Sequence, residues 1–140
     1  MSHNAWHNAR VMYENDACAQ ALGIDIVEMD DGYAVVTMKV QPQMLNGHQT
    51  CHGGQLFSLA DTAFAYACNS QGLVAVASAC SIEFLRPGLA GDTLTATACV
   101  KHQGKVAGVY DIEIVNQHNK TVALFRGKSH RTGGTITGEA

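Results

Sequence analysis

The sequence has no apolar run that approaches the roughly 20 residues needed by a membrane-spanning helix. Its first residues also lack the positive charge and the following apolar stretch that are typical of a signal peptide. Basic residues are not in excess, since nine Lys and Arg stand against twelve Asp and Glu, for a formal net charge of -3. Because nucleic-acid binding needs such an excess, we expect a cytoplasmic protein that binds neither membrane nor nucleic acid.

The cysteines form neither a disulfide framework nor a zinc motif. They are five in number, widely spaced, and contain no C-x-x-C pair. This pattern is typical of reduced thiols in a cytosol. We therefore expect no disulfide, no bound metal and no cofactor.

The length of 140 residues, 46% of them hydrophobic, fits one core and no second one. We therefore expect a single domain over residues 1–140. From 4 to 22 the chain lacks proline and glycine, which predicts a helix that ends at Gly23. From Ile24 the pattern changes to a period of two, which predicts one strand that is entered through a turn at 30–32.

The segment 51–68 predicts a central helix, because apolar residues occur around most of its circumference. Four alternating runs at 75–86, 92–101, 106–116 and 120–131 predict consecutive strands, separated by turn residues. Residues 133–140 are expected to be frayed. Together these elements predict an α+β domain in which an antiparallel β-sheet packs against the central α-helix.

Asp61 is a lone carboxylate inside this apolar helix. Asp is a mediocre helix former in mid-helix, and no Lys or Arg occurs between Cys51 and Phe84 to pair with it. A charge in such a place points to a functional site. The alternative is an ordinary solvated Asp on a surface face.

Gly53 and Gly54 stand at the start of the helix, where the backbone N–H groups are unpaired and the helix dipole favours negative charge. Without side chains they would let an acyl group approach and would stabilise a developing oxyanion. The alternative is that two glycines only relax the turn into the helix.

These motifs together resemble one family. A His-Gly-Gly start at 52–54 on an alanine-rich helix, Asp61 eight residues beyond Gly53, and Arg-Pro-Gly at 86–88 resemble the hotdog-fold acyl-CoA thioesterases of the phenylacetate-degradation (PaaI) type. The resemblance covers nearly the whole chain. It implies a sheet wrapped around the helix, an acyl-CoA substrate, and a homodimer with continuous sheets that often pairs again into a homotetramer.

The resemblance also implies a chemistry, namely hydrolysis of aryl-acetyl-CoA thioesters, including phenylacetyl-CoA and its ring-hydroxylated forms, to the free acid and coenzyme A. In such a reaction the Gly53 N–H polarises the thioester carbonyl, and Asp61 attacks it or activates a water. Asn46 and His52 support the site, although Asn46 also fits a plain turn and His52 a helix cap. Thr62 is a further candidate, but threonine in helices commonly bonds its own backbone.

Helix geometry adds a constraint. Eight residues at 1.5 Å each place Gly53 and Asp61 about 12 Å apart along the axis, whereas groups that act on one carbonyl lie within roughly 3–3.5 Å of it. The two residues must therefore come from different helices. We predict a site that spans a two-fold dimer.

Coenzyme A carries phosphates, so a binder with acidic overall charge needs local cations. The resemblance places the turn at 86–88 where the nucleotide or pantetheine arm is guided, and the other candidates flank a hairpin turn or lie on the last strand. Each basic candidate is otherwise a solvated surface charge. The candidates are Arg86, Pro87, Gly88, Lys101, Lys105 and Arg126.

Three alternatives remain beside a thioesterase. A hotdog hydratase or dehydratase would bring a His and an acid together as proton shuttles, an arrangement that His52 and Asp61 do not show. A non-catalytic acyl-CoA binding module is the second. A cysteine nucleophile at Cys51 is disfavoured, because its side chain and that of adjacent His52 diverge.

Overall fold

The computed structural model describes residues 2–138, with side chains from residue 4 onward. The helices are α1 (Ser2–Glu14), α2 (Ala17–Ala21) and α3 (Gly53–Cys68), and a 3-10 turn covers Pro42–Met44. The strands are β1 (Asp25–Asp30), β2 (Tyr33–Lys39), β3 (Leu73–Phe84), β4 (Thr93–Gln103), β5 (Ala107–Val115) and β6 (Thr121–Thr135).

The six strands form one sheet in the order β1-β2-β4-β5-β6-β3, and every neighbouring pair is antiparallel. Helix α3 contacts five of the strands and packs against one face of the sheet. Buried side chains of helix and sheet form a continuous hydrophobic cluster. The predicted α+β architecture, an antiparallel sheet around a central helix, is confirmed.

Small residues in the sheet let α3 approach closely. Ala96 on β4 and Ala123 on β6 are fully buried beneath it. At Gly127 on β6 even one more carbon does not fit, because a Cβ there would lie 2.7 Å from the ring of Phe64 on α3. The sheet and the helix are therefore matched in shape at the level of single methyl groups.

The N-terminal helix prediction was wrong in one respect, because the chain forms two helices in place of one. The break lies at Asp16, whose Oδ1 accepts a hydrogen bond from the Ala19 N–H at 3.0 Å and caps α2. A side chain that caps the backbone competes with helix continuation. The predicted end at Gly23 is close to the observed end of α2, and Gly23 adopts a positive φ of 67°.

The single strand predicted after Ile24 is in fact a hairpin of β1 and β2. The turn contains Gly32 with a φ of 67°, and its Cβ position lies 2.7 Å from Val100, so only glycine fits. Strand β1 escaped detection because its residues are mostly exposed and show no alternation. On β4, Val100 continues the alternation of the buried Leu94, Ala96 and Ala98, but it is exposed next to a bulge.

The expectation of a frayed end from 133 onward was wrong for the first residues. Strand β6 continues to Thr135, and the Ile136 N–H donates to the Gly72 carbonyl at 2.9 Å. Residues 139 and 140 lie outside the described chain.

We predict that Gly127→Ala destabilises the protein by about 1–3 kcal/mol, the usual range for overpacking a core. The added methyl group must displace the buried Phe64 ring. Urea unfolding measures the change. Gly134→Ala on the same strand is the control, because its new Cβ would meet Val74 at an ordinary 3.5 Å; equal stability of the two variants would contradict the packing argument.

Candidate active site

The start of α3 is fixed by hydrogen bonds from three directions. The His52 N–H donates to the Met44 carbonyl at 2.8 Å, and the Cys51 N–H donates to the Gly88 carbonyl at 2.7 Å. The His52 Nδ1 accepts a hydrogen bond from the Gly54 N–H at 3.2 Å and so caps the helix. The loop before the helix and the turn after β3 therefore hold the first turn of α3 in place.

The Gly53 N–H is left without an acceptor in this arrangement. No hydrogen bond from it occurs within residues 2–138, whereas the Gly54 N–H is satisfied by the His52 cap. Gly53 lines a cavity of about 380 Å³ together with Asn46, Phe84 and Arg86. An unpaired N–H at a helix start is a donor aimed at an anion or a developing oxyanion.

Asp61 lies two turns along the same helix and is half-buried. Its carboxylate has no hydrogen bond or ion pair within the described residues. Burial raises the pKa of Asp61 above the usual carboxyl value, and the negative charge of Asp16 raises this pKa further. Unpaired carboxylates with shifted pKa values are typical of functional sites.

The charge of Asp61 also raises the pKa values of two thiols. Burial is the main cause of the raised pKa of Cys68 on α3 and of Cys80 on β3, and the negative charge of Asp61 adds to both shifts. The carboxylate therefore lies on the side of α3 that is close to the edge strand β3. Asp16, whose charge also raises the pKa of Asp61, lies at the junction of α1 and α2.

Within one chain the structure does not bring Gly53 and Asp61 together. Both lie in one uninterrupted helix, Gly53–Cys68, so the axial separation of about 12 Å holds. One chain therefore supplies either residue to a given carbonyl and cannot supply both.

Asn46 lies in the cavity beside Gly53, and its carbonyl oxygen serves the loop. This oxygen accepts from the His48 N–H at 2.9 Å and from the Thr50 N–H and hydroxyl, each at 3.2 Å. The Asn46 amide N–H groups have no acceptor in the part of the chain that the structure describes. Asn46 thus both forms the turn and keeps a donor at the cavity.

The side chains of His52 and Thr62 bond to the backbone, which is the alternative role that the sequence also allowed for each. His52 caps α3 through Nδ1, so its ring proton lies on Nε2 in the neutral form. The Thr62 hydroxyl donates to the Ser58 carbonyl one turn earlier, at 2.7 Å. These bonds favour structural roles for His52 and Thr62.

The predicted cationic residues are not gathered in one place. Arg86 and Pro87 line the cavity of Gly53, and the Arg86 side chain has no ion pair within residues 2–138. Gly88 is fixed by close approach, since a Cβ there would lie 3.0 Å from Cys51. Lys101 on β4 and Arg126 on β6 line a separate cavity of about 450 Å³, and Lys105 lies in the exposed turn after β4.

Arg126 is already paired with Asp111. Its Nε and Nη2 donate to the two carboxylate oxygens at 2.6 and 2.8 Å. The Arg126 guanidinium holds the pKa of the Asp111 carboxyl below its usual range. Of the predicted phosphate contacts, only Arg86 therefore lies as a free cation beside the helix start in this chain.

Cys51 does not have the properties of a nucleophile. It is 4% exposed, and burial raises the pKa of its thiol to about 11. A thiolate is therefore disfavoured at neutral pH. The dismissal of a Cys51–His52 pair agrees with this, because the His52 Nδ1 is engaged by Gly54.

Two features of the site were missed in the sequence. Asp16 acts on Asp61 from 45 residues away in the chain, and its Oδ2 accepts a hydrogen bond from the Tyr66 hydroxyl at 3.0 Å. Phe84 covers Gly53, a contact that the sequence does not indicate. From the sequence, Phe84 is one of four aromatic residues that either line an aromatic pocket or belong to the core. Neither contact follows a local motif, since each joins residues that are distant in the chain.

Comparisons with known proteins identify the family of the chain. A family model of the thioesterase superfamily matches residues 48–123. The acyl-coenzyme A thioesterase PaaI of Escherichia coli (strain K12) is 83% identical over 140 residues, which cover 100% of both chains. The solved structure of the E. coli PaaI protein from the phenylacetic acid degradation operon matches with a TM-score of 0.96 and 81% identity, over 96% of this chain and 98% of that chain. A Streptococcus mutans protein solved bound to acetyl-CoA matches with a TM-score of 0.77 and 33% identity, over 79% and 89% of the two chains.

The fold and the site therefore define a hotdog thioesterase, and the chain belongs to the thioesterase superfamily. Within that superfamily it resembles the PaaI type, as predicted from the residues. The expected enzyme class, a thioester hydrolase, is confirmed.

Between residues 2 and 138, no three His, Cys, Asp or Glu side chains are grouped so that they could hold a metal ion. None of the helices described here has the length and apolar character that crossing a bilayer requires.

We predict that Asp61→Asn makes the protein more stable at neutral pH. A folded-state pKa raised above the unfolded value means that stability falls as pH rises through the interval between the two values, and the full penalty applies at neutral pH. The variant carries no such penalty. Urea unfolding at a series of pH values measures the gain, which should shrink as the pH is lowered.

Asp111→Asn is the control with the opposite sign. The pKa of Asp111 is lowered by Arg126, so its charge stabilises the fold at neutral pH and this contribution is lost in acid. Loss of stability in Asp61→Asn at neutral pH would contradict the unpaired state of its carboxylate.

Proposed function

We propose that the protein hydrolyses aryl-acetyl-CoA thioesters, namely phenylacetyl-CoA and ring-hydroxylated phenylacetyl-CoA, to the free acid and coenzyme A. The observation that carries this proposal is the combination of an unpaired Gly53 N–H at a cavity and an unpaired, half-buried Asp61 on the same helix. The first polarises a carbonyl and the second supplies a carboxylate, which are the two requirements of thioester hydrolysis.

Relatives support the substrate class. The E. coli relative at 83% identity is an acyl-coenzyme A thioesterase, and its solved structure is that of a protein of the phenylacetic acid degradation operon. The S. mutans relative holds acetyl-CoA. Arg86, the free cation at the cavity, fits a contact to the phosphates or pantetheine arm of such a substrate.

In the proposed reaction the thioester oxygen accepts a hydrogen bond from the Gly53 N–H, and the dipole of α3 favours the negative charge that develops there. Asp61 acts in its ionised form by one of two routes. In the first route an Asp61 oxygen attacks the carbonyl carbon, the C–S bond breaks, coenzyme A leaves as a thiolate, and water then hydrolyses the anhydride. In the second route Asp61 takes a proton from a water molecule that attacks the carbonyl carbon directly.

The site is completed by a second copy of the chain. One helix cannot place Gly53 and Asp61 at the same carbonyl, since they are about 12 Å apart. Two chains related by a two-fold axis would supply Gly53 from one α3 and Asp61 from the other, and would form two such sites.

Strand β3 is the surface that supports this pairing. It is a 12-residue edge strand with β6 as its one strand neighbour in the described chain, and its sequence carries a single charge, Glu83. A long, exposed, apolar edge strand is a template for pairing with a strand of another chain. The opposite edge, β1, is instead short and bears three acidic residues and a bulge. Dimers formed in this way could pair again into a homotetramer.

We predict that hybrid dimers restore activity to two inactive variants. Asp61→Ala removes the carboxylate, and Gly53→Pro removes the N–H at the first position of a helix, where proline is tolerated. Each variant alone should lose at least about 100-fold in kcat. Random co-assembly should recover about a quarter of wild-type activity, because half of the dimers are hybrids with one complete site of two.

Gly53→Ala is the matched control for the proline variant. It keeps the N–H, and its methyl group meets the Phe84 ring at the same 3.2 Å, so it separates crowding from loss of the donor. Co-expression of two differently tagged chains and purification through both tags isolates the hybrid. An inactive hybrid with a native unfolding transition would overturn the shared site.

We predict that phenylacetyl-CoA and hydroxyphenylacetyl-CoA give the highest kcat/KM in a panel that also contains benzoyl-CoA and straight-chain acyl-CoA esters. Release of free thiol measures turnover, and the absence of an enoyl product separates hydrolysis from a hydratase or dehydratase reaction. Thioesters that remain intact after long incubation would contradict the proposed function and favour a binding module.

A further inference from the structure

Phe84, the last residue of β3, is an aromatic side chain left in the open. It is 53% exposed, whereas Phe64, Tyr66 and Phe125 in the core are each 3% exposed or less. Because burial of an aromatic ring is favourable, an exposed ring on a strand points to an interaction that the isolated chain does not make.

The ring is held directly over the start of α3. A Cβ built on Gly53 would lie 3.2 Å from Phe84 Cζ and 3.5 Å from Cε1. Strand register fixes this position, because Phe84 pairs with the buried Ala123 of β6 and so faces the helix side of the sheet. One edge of the ring therefore covers Gly53, and the rest borders the cavity that contains the Gly53 N–H.

Other aromatic rings near α3 are occupied with each other. Phe57 and Phe125 contact edge to face with ring centroids 5.2 Å apart, and Phe64 lies 6.0 Å from Phe125 and 5.7 Å from Tyr110. In the described chain, Phe84 is the one aromatic residue that lines the Gly53 cavity, next to the exposed Leu85 and the cation Arg86. A ligand that enters this cavity therefore meets the exposed Phe84 ring beside the carbonyl-polarising N–H.

We propose that Phe84 is a specificity-determining residue whose ring forms the wall of the acyl site beside the Gly53 N–H and selects acyl groups that carry an aromatic ring. Ring pairs prefer offset or edge-to-face contacts at centroid distances of about 4.5–7 Å, which an alkyl chain does not reproduce. This inference rests on the proposed function and deepens it, because it names the residue that distinguishes aryl from alkyl substrates.

The test is the ratio of kcat/KM for phenylacetyl-CoA to that for hexanoyl-CoA, in wild type and in Phe84→Leu. Leucine keeps an apolar side chain and removes the ring. We expect the ratio to fall about five- to tenfold, the effect of one aromatic contact. Because the residue is exposed, the variant should fold, and its unfolding transition verifies this.

Tyr33→Leu is the matched control. It removes an aromatic ring from β2, which is separated from β3 by three strands, and should leave the ratio unchanged. A ratio in Phe84→Leu equal to that of wild type, with both substrates affected alike, would overturn the proposal and leave Phe84 as a cover for Gly53.

A binding measurement separates this inference from the proposed function. Phenylethyl-CoA and hexyl-CoA thioethers lack the thioester carbonyl, and calorimetry gives their Kd without turnover. Phe84→Leu should weaken the phenylethyl compound about five- to tenfold and the hexyl compound little. If the wild-type protein hydrolyses no acyl-CoA, the proposed function fails, but the binding result still tests Phe84. Equal weakening of both thioethers in Phe84→Leu would overturn the role of Phe84, whereas selective weakening of the phenylethyl compound would support it.

Discussion

Helix α3 packs so closely against the sheet that Gly127 has no room for a Cβ beside Phe64. This contact fixes the distance and rotation of the helix, and thereby which of its groups reach solvent. The first N–H of the helix emerges at a cavity, and Asp61 emerges on the side of β3. A helix that could slide or rotate by a fraction of a turn would lose both positions, so the precision of the core is also the precision of the site.

The same helix carries a conflict between stability and function. Asp61 has no partner within the described chain, and both burial and Asp16 act against its charge. Selection for stability alone would favour an alanine at this position. The chain has alanines nearby, at Ala60 and Ala63. The chain retains an unfavourable carboxylate, which is the usual condition of a group that acts on a substrate.

The sequence predicted the parts of the fold that depend on local patterns. Alternation located β2, β4 and β5, and the apolar segment 51–68 located α3, which begins two residues later at Gly53. Features that depend on distant contacts were missed, such as the exposed β1 and the action of Asp16 on Asp61. Side-chain roles were the least predictable, since the hydroxyl of Thr62 and the guanidinium of Arg126 are engaged within the protein by groups that no motif specifies.

Exposed apolar surface is concentrated on one part of the molecule. Val76 on β3 and Leu85 after it are each more than half exposed, and β3 has no second strand neighbour in the described chain. Sheet edges and apolar side chains are both unfavourable in water, and here they coincide beside the cavity of Gly53. A single partner surface would cover the edge strand and bring a second α3 to that cavity. In the proposed dimer the second chain would supply the carboxylate that one chain cannot place near its own Gly53 N–H, so assembly and catalysis would share one interface.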